Sequence, residues 1–198
     1  MSDLKFLDEL ATSFENLPGV GKKTAQRYAL SVVENMTEEE VEKFSKALID
    51  TKTKVHHCKT CGMLCLNDEC EICTSTTKDR SKIMVVKDSR DILTIDKMGI
   101  YDGLYHSLNG LISLMDGIGP DDINVDSLEK RIDENVKEII LAMPFTPNGE
   151  ATAAFLERFL KRDNLVISRL GYGLPAGGNI EFIDELTLKR AYERRSNN

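Results

Sequence analysis

No stretch of this 198-residue chain approaches the ~18 consecutive apolar residues that would suggest a membrane span. The opening residues Met1-Ser2-Asp3-Leu4-Lys5 lack the basic region and following apolar run of a secretory signal. Both absences lead to the expectation of a cytoplasmic protein. An excess of positive charge is also missing, since the net charge is −7. That excludes nonspecific coating of nucleic acid by the whole surface. A local basic patch remains open, because the field a ligand meets is local. No cysteine lies outside positions 58–73. A disulfide framework would spread its cysteines to close long loops, so five in one short stretch of a cytosolic chain point to metal. There is no internal repeat and no low-complexity tract. What is present is an apolar fraction of 41%, enough for a core, and a charged fraction of 30%.

Residues 1–53 carry helical periodicity. Leu4, Leu7, Ala11 and Phe14 recur at helical spacing, and Ala25, Tyr28, Ala29, Val32 and Val33 line a single face of a second helix. Thr37 with Glu40 three residues on forms a capping box that opens a third helix through Val41, Phe44 and Leu48. Residues 54–77 are poor in apolar side chains and cannot fold without a staple. Further on, Ile83 to Val86, Gly103 to His106, Ile139 to Ala142 and Leu165 to Ile167 are short strand signals. Helical patterns through Ile92 and Ile95, from Ser127 to Asn135, and through Ala151, Ala154, Phe155 and Phe159 separate them. Strands alternating with helices predict a largely parallel sheet with helical crossovers. The chain ends in a glycine-rich run, Gly171 to Gly178, and a short helix with Lys189, Arg190, Arg194 and Arg195.

The cysteine spacing is Cys58-x2-Cys61-x8-Cys70-x2-Cys73. Each Cys-x2-Cys pair forms a knuckle that offers two thiolates, and two knuckles complete a tetrahedral shell suited to one Zn2+. With all four positions filled, no water is left to activate, so the site is structural. The competing reading, reduced thiols in a core, needs a core that this polar segment lacks. Cys65 could displace Cys61 or Cys70 but breaks the paired spacing, and reads as a free thiol in the loop. His56 and His57, beside Cys58, are further donors and read as solvated loop residues.

Leu17-Pro18-Gly19-Val20-Gly21 separates the first two helices. Glycines allow close backbone approach and positive φ, and the unpaired N–H groups of the next helix form a ready anion site. Lys22 and Lys23 add charge, and Lys23 and Arg27 are i, i+4 neighbours on one face. A turn between helices needs no ligand, and a basic pair on a helix is usually a solvated face. The joint pattern favours a DNA phosphate. A nucleotide P-loop is rejected: Lys23 stands where Ser or Thr belongs, and Asn16 replaces the first glycine.

The order of these features closely resembles the bacterial RecR recombination family along nearly the whole chain. A hairpin with Leu17 to Gly21 precedes a four-cysteine finger. An α/β unit follows with Gly103-Leu104-Tyr105-His106, Met115-Asp116-Gly117-Ile118-Gly119-Pro120 and Gly149-Glu150-Ala151-Thr152-Ala153, then Gly173-Leu174-Pro175-Ala176-Gly177-Gly178. The resemblance implies a multidomain α/β protein: a helix-hairpin-helix DNA-binding domain over 1–53, a zinc finger over 54–77, a Toprim domain over 78–170, and a C-terminal segment over 171–198 for subunit contacts. It implies a non-enzymatic mediator of recombinational DNA repair. Its partners would be RecO and RecF, which help load the RecA recombinase onto single strands coated by single-strand-binding protein. It also implies a homo-oligomer, a dimer or tetrameric ring. Gly19, Gly21, Lys23 and Arg27 are the implied DNA-binding set, and Glu150 is the candidate on an acidic partner-binding surface.

The chain departs from active Toprim enzymes, which carry a glutamate after the first strand and an Asp-x-Asp after a later one to hold magnesium. Here Lys87 follows Ile83 to Val86, and Met143-Pro144-Phe145-Thr146 follows Ile139 to Ala142. Asn179 stands where an acidic residue is expected in the last segment. The alternatives are a Toprim-type nuclease, primase or topoisomerase, which the missing acids oppose, and a zinc-stabilised scaffold without DNA contact.

Overall fold

A computed structural model of the chain describes residues 4–171, 174, 177 and 179–193. The chain divides into two compact units, residues 1–55 and 56–198.

The first unit is three helices: α1 (Lys5–Glu15), α2 (Lys22–Asn35) and α3 (Glu38–Lys54). Helices α1 and α2 pack together, with Ala25 and Ala29 fully buried and Phe14 meeting Tyr28 edge to face at a centroid distance of 5.7 Å. The capping box forms as expected. The Thr37 hydroxyl accepts from Glu40 N–H at 3.3 Å and the Glu40 carboxylate accepts from Thr37 N–H at 2.8 Å. The apolar stripe of α3 is only partly covered by the described residues: Val41, Phe44 and Leu48 are 36%, 42% and 58% exposed. The periodicity reports a face that is apolar, and in one copy of the chain that face meets solvent.

In the second unit, β1 (His56–His57) and β2 (Leu64–Cys65) form a short antiparallel hairpin, and α4 (Glu71–Thr74) follows. Strands β3 (Asp79–Val86), β4 (Gly103–Ser107), β5 (Glu138–Ala142) and β6 (Val166–Arg169) form one all-parallel sheet in the order β4-β3-β5-β6. The crossovers carry α5 (Ser89–Met98), α6 (Asp126–Glu129) and α7 (Pro147–Phe159), and α8 (Glu185–Glu193) closes the chain. Alternate residues of β3 enter two cores. Ile83 and Val85 join Ile139, Leu141, Leu156 and Leu160, while Met84 and Val86 join Ile92 and Tyr105. A parallel strand covered on both faces must be apolar throughout, which is why Ile83 to Val86 is legible as a strand.

One sequence expectation is corrected. The helix expected from Ser127 to Asn135 stops after one turn, at Glu129. Beyond it the backbone tightens into i→i−3 turns, with Arg131 N–H donating to Leu128 O at 3.0 Å and Ile132 N–H to Glu129 O at 3.1 Å, and the Asp133 carboxylate then accepts from Asn135 N–H at 2.8 Å. Helix α7 forms as expected, and its buried residues are Gly149, Thr152, Ala153 and Leu156, with Phe155 partly buried against the same core. Its first turn packs closely, since a Cβ on Gly149 would lie 2.0 Å from the Pro144 carbonyl oxygen. Tyr172, Gly173, Pro175, Ala176 and Gly178 of the glycine-rich run lie outside the described residues, as do Arg194 and Arg195.

His106 on β4 is buried. Its Nε2 donates to the Asn124 carbonyl at 2.7 Å, and its Nδ1 accepts from Arg131 Nη1 at 3.1 Å. Desolvation, with the Arg131 charge beside it, depresses its pKa to about 4 from 6.5. Because the folded value lies below the unfolded one, the neutral ring stabilises the fold fully above pH 6.5. That contribution, up to about 3 kcal/mol, is lost as pH falls from 6.5 towards 4. His106→Gln is expected to flatten this part of the curve of melting temperature against pH. Parallel curves for variant and parent would contradict the assignment.

Candidate metal centre and nucleic-acid interface

The first Cys-x2-Cys knuckle is built at the turn of the β1–β2 hairpin. Cys58 N–H donates to Met63 O at 2.7 Å and Gly62 N–H donates to Cys58 O at 2.9 Å, which curls the chain around the Cys58 and Cys61 sulfurs. Gly62 has φ of +74°, and a Cβ there would sit 2.5 Å from Asn124 Nδ2 and 2.7 Å from Ser107 O. Only glycine meets both demands. The second knuckle opens α4, where Cys70 N–H points at Cys58 Sγ at 3.3 Å.

The four sulfurs all lie within 4.8 Å of one another, and all four cysteines are buried. Cys58 Sγ is 3.9 Å from Cys73 Sγ, and Cys61 Sγ is 3.5 Å from Cys70 Sγ. Tetrahedral thiolates at about 2.3 Å from zinc would be about 3.8 Å apart, so the donor set has the size and chemistry for one such ion. The protein alone cannot hold four thiolates there. Hydrogen bonds from Cys61 and Cys73 push the Cys70 thiol down to about 2, while the bond to Cys70 pushes Cys61 up to about 12. Cys73 is pushed up as well, by its bonds to Cys61 and Cys70. A shared divalent cation would supply the missing compensation. Cys65 stands apart: it lies in β2 rather than in a loop, and its Sγ donates to Asn67 O at 2.8 Å. His56 and His57 are exposed in β1, and His57 Nδ1 donates to Gly62 O at 2.8 Å, bracing the knuckle from outside.

The cysteine module is docked on the parallel sheet. Ser107 N–H donates to Cys61 O at 2.7 Å, and Leu64 N–H to Ser89 Oγ at 2.9 Å. Asn109, held at a positive φ of 55°, donates from Nδ2 to Gly62 O at 3.1 Å. Met63 and Ile72 pack against the core cluster of Tyr105 and Ile92.

In the first unit the turn into α2 is open. Gly19 has φ of +80°, and nothing lies within 4 Å of a Cβ built on Gly19 or Gly21. Gly21 caps α2 without a side-chain hydrogen bond, and no acidic residue occupies the first turn. Lys22, Lys23 and Arg27 are exposed, and Arg27 lies 5.8 Å from the Tyr28 ring centroid. Cations at a helix N-terminus oppose the helix dipole, so this entrance is locally unfavourable until an anion arrives.

At the C-terminal end of the parallel strands, Lys87 follows β3, and Asp88 caps α5 while pairing with Arg90 Nη2 at 2.6 Å. Glu150, in the first turn of α7, binds Arg169 Nη1 at 3.0 Å. Arg169 also clamps Glu157 through Nε at 2.6 Å and Nη2 at 2.8 Å. Sequence reading missed Arg169 and Glu157. The i, i+7 spacing of Glu150 and Glu157 on one helix face was the available signal. Among the described residues, the four cysteines are the one group of His, Cys, Asp or Glu close enough to hold an ion.

Models of known families match along the chain: "RecR, helix-hairpin-helix" over residues 7–52, "Toprim domain" over 81–171 and "RecR, C-terminal" over 173–196. The Recombination protein RecR of Staphylococcus saprophyticus is 47% identical over 191 residues, 96% of each chain. The chain belongs to the RecR family. RecR proteins of Lactobacillus delbrueckii subsp. bulgaricus and Enterococcus faecalis are each 46% identical, over 94% of both chains. A Toprim unit between two RecR-specific segments is thus part of this family's architecture and does not mark a separate Toprim enzyme. No helix among the described residues is long and apolar enough to cross a membrane.

Proposed function

We propose that this RecR-family chain is a non-enzymatic, DNA-binding mediator of recombinational repair. It acts in the cytoplasm with RecO-like and RecF-like proteins to help load RecA recombinase onto single-stranded DNA. The observation that carries the reading is the open entrance of α2, where uncapped N–H groups, Gly19, Gly21, Lys23 and Arg27 surround space with no acid in the first turn. A backbone phosphate satisfies those donors and charges together. The name shared by the relatives, Recombination protein RecR, supports the same process.

Domains over 1–53, 54–77, 78–170 and 171–198 divide the work. The first binds DNA, the second is stapled by one structural Zn2+ on Cys58, Cys61, Cys70 and Cys73, the third offers the partner surface around Glu150, and the last makes subunit contacts. One hairpin with a few cations binds DNA weakly, so several copies must add their contacts. The exposed stripe of Val41, Phe44 and Leu48, beside a 230 Å³ groove lined by Phe14, Tyr28, Val32, Met36 and Phe44, supports a homo-oligomer, a dimer or tetrameric ring. Lys87 would repel a magnesium ion at the end of β3, and Arg169 already neutralises Glu150, which supports the absence of catalysis.

Native mass measurement with and without DNA tests the reading. An assembly of two or four copies that carries DNA is expected, and a monomer that binds DNA as tightly as any assembly would sink it. Incubation with DNA and magnesium is expected to leave the DNA unchanged. Cleavage or primer synthesis that disappears in Glu150→Ala would favour the Toprim-enzyme reading instead.

A further inference from the structure

At the other end of the sheet from Glu150 lies a cavity of about 490 Å³ between the cysteine module, strands β3 and β4, and the 130–136 segment. This is within the range of roughly 300–1,000 Å³ typical of ligand sites. Its floor is aliphatic, formed by the buried Ile83, Leu104 and Val136. Its rim is cationic, formed by Arg80, Lys130 and Arg131. Arg80 Nη2 donates to Cys73 O at 3.0 Å and Ser75 O at 3.3 Å. Arg131 Nη1 donates to Tyr105 O at 2.7 Å and His106 Nδ1 at 3.1 Å. Both guanidinium groups are thus held in place by neutral acceptors, which leaves them without a carboxylate partner. Among the described residues, none of the three cations forms an ion pair with a carboxylate. One acid, Asp133, lies on the wall, and its carboxylate already accepts from Asn135 N–H.

We propose that this cavity binds an acidic peptide segment of a partner protein, with a carboxylate on the arginine and lysine rim and an aliphatic side chain on the floor. Fixed guanidinium groups suit carboxylate recognition because their donor geometry is already set. The lining contains no aromatic residue. Single-stranded nucleic acid sites present aromatic faces on which bases stack, so the aliphatic floor favours peptide over oligonucleotide. A second cavity of about 710 Å³ shares the wall of Asp133, Asn135 and Val136 and extends the path along the 132–137 segment, giving room for residues beyond the anchoring one. The site is separate from the α2 entrance and from Glu150, and does not depend on the DNA-binding reading.

The test uses the full, zinc-loaded chain and a fluorescein-labelled probe of three aspartates followed by a free C-terminal leucine, read by fluorescence anisotropy. Binding that weakens with salt is expected. Lys130→Glu, a change at an exposed position, should weaken it about tenfold, and Asp133→Asn should tighten it about threefold by removing the one carboxylate in the lining of this cavity. A tightening cannot come from misfolding, so this variant guards the result. A probe ending in serine should bind about tenfold more weakly, since it forfeits the aliphatic floor. Lys130→Glu should leave oligonucleotide binding unchanged. No probe binding at low salt, equal affinity in parent and Lys130→Glu, or a Lys130-dependent preference for an oligothymidine over the probe would each overturn the proposal.

Discussion

Cys70→Ser is expected to yield a chain that no longer retains zinc and melts about 6–20 °C lower, whereas Cys65→Ser should retain zinc and melt with the parent. The contrast follows from geometry. Cys70 Sγ is one of four sulfurs within 4.8 Å of one another, and Cys65 is outside that group. Structural zinc contributes folding free energy directly, with apparent binding of about 10–16 kcal/mol in isolated finger peptides. Part of that is lost with one ligand, because a three-thiolate site holds the ion poorly and leaves like charges crowded. The damage also spreads. Ser107 loses its Cys61 carbonyl partner, Ser89 loses the Leu64 N–H, and Met63 and Ile72 withdraw from the Tyr105 core. A loss of about 3–5 kcal/mol in a chain of this size corresponds to the stated shift at about 2–4 °C per kcal/mol. Metal content by atomic emission and a melting curve check both variants. A zinc-free Cys70→Ser with the parent's melting temperature would show that the metal is not a staple.

What could be read from residue order alone was whatever depends on neighbours in the chain. Two Cys-x2-Cys pairs place sulfurs by local turns, so the donor set was legible before any tertiary contact. The Thr37–Glu40 box closes within one helical turn, and β3 and β5 announce themselves as unbroken apolar runs. The limits concern packing and partners. In helix α7 the periodicity finds the helix, but the close approach of Pro144 to Gly149 exists only in the fold. Helix α3 shows the same limit differently: periodicity in Val41, Phe44 and Leu48 signals a surface that wants cover but cannot say which chain provides it. Arg169 was invisible because its clamp on Glu157 and Glu150 joins β6 to α7 across the fold. The buried His106, bonded to Asn124 and Arg131, is another contact that only the folded chain creates.

Lys23→Ala with Arg27→Ala is expected to weaken DNA binding at least 100-fold at moderate salt without lowering the melting temperature. Each cation that neutralises a phosphate releases counterions, so the logarithm of affinity falls with the logarithm of salt at about 0.7–0.9 per contact. The double variant removes two cations from every copy, and in an assembly the losses multiply across the hairpins engaged. The slope against salt should therefore become shallower as well as the affinity weaker. Stability should hardly move. Lys23 sits in the first turn of α2, where a positive charge opposes the helix dipole by about 0.3–1 kcal/mol at an exposed site. Alanine removes that penalty and is a better helix former. Arg27 makes an exposed contact with Tyr28, of about 0.5–1 kcal/mol, so the two changes nearly cancel in stability. A further variant, Lys23→Glu, sharpens the contrast: it should stabilise α2 and still abolish binding. Lost binding without lost stability would show that these residues serve the ligand and not the helix. Titration of a labelled oligonucleotide at several salt concentrations, beside a melting curve, reads both quantities. Unchanged affinity and unchanged salt slope in the double variant would remove the hairpin from the DNA-binding surface.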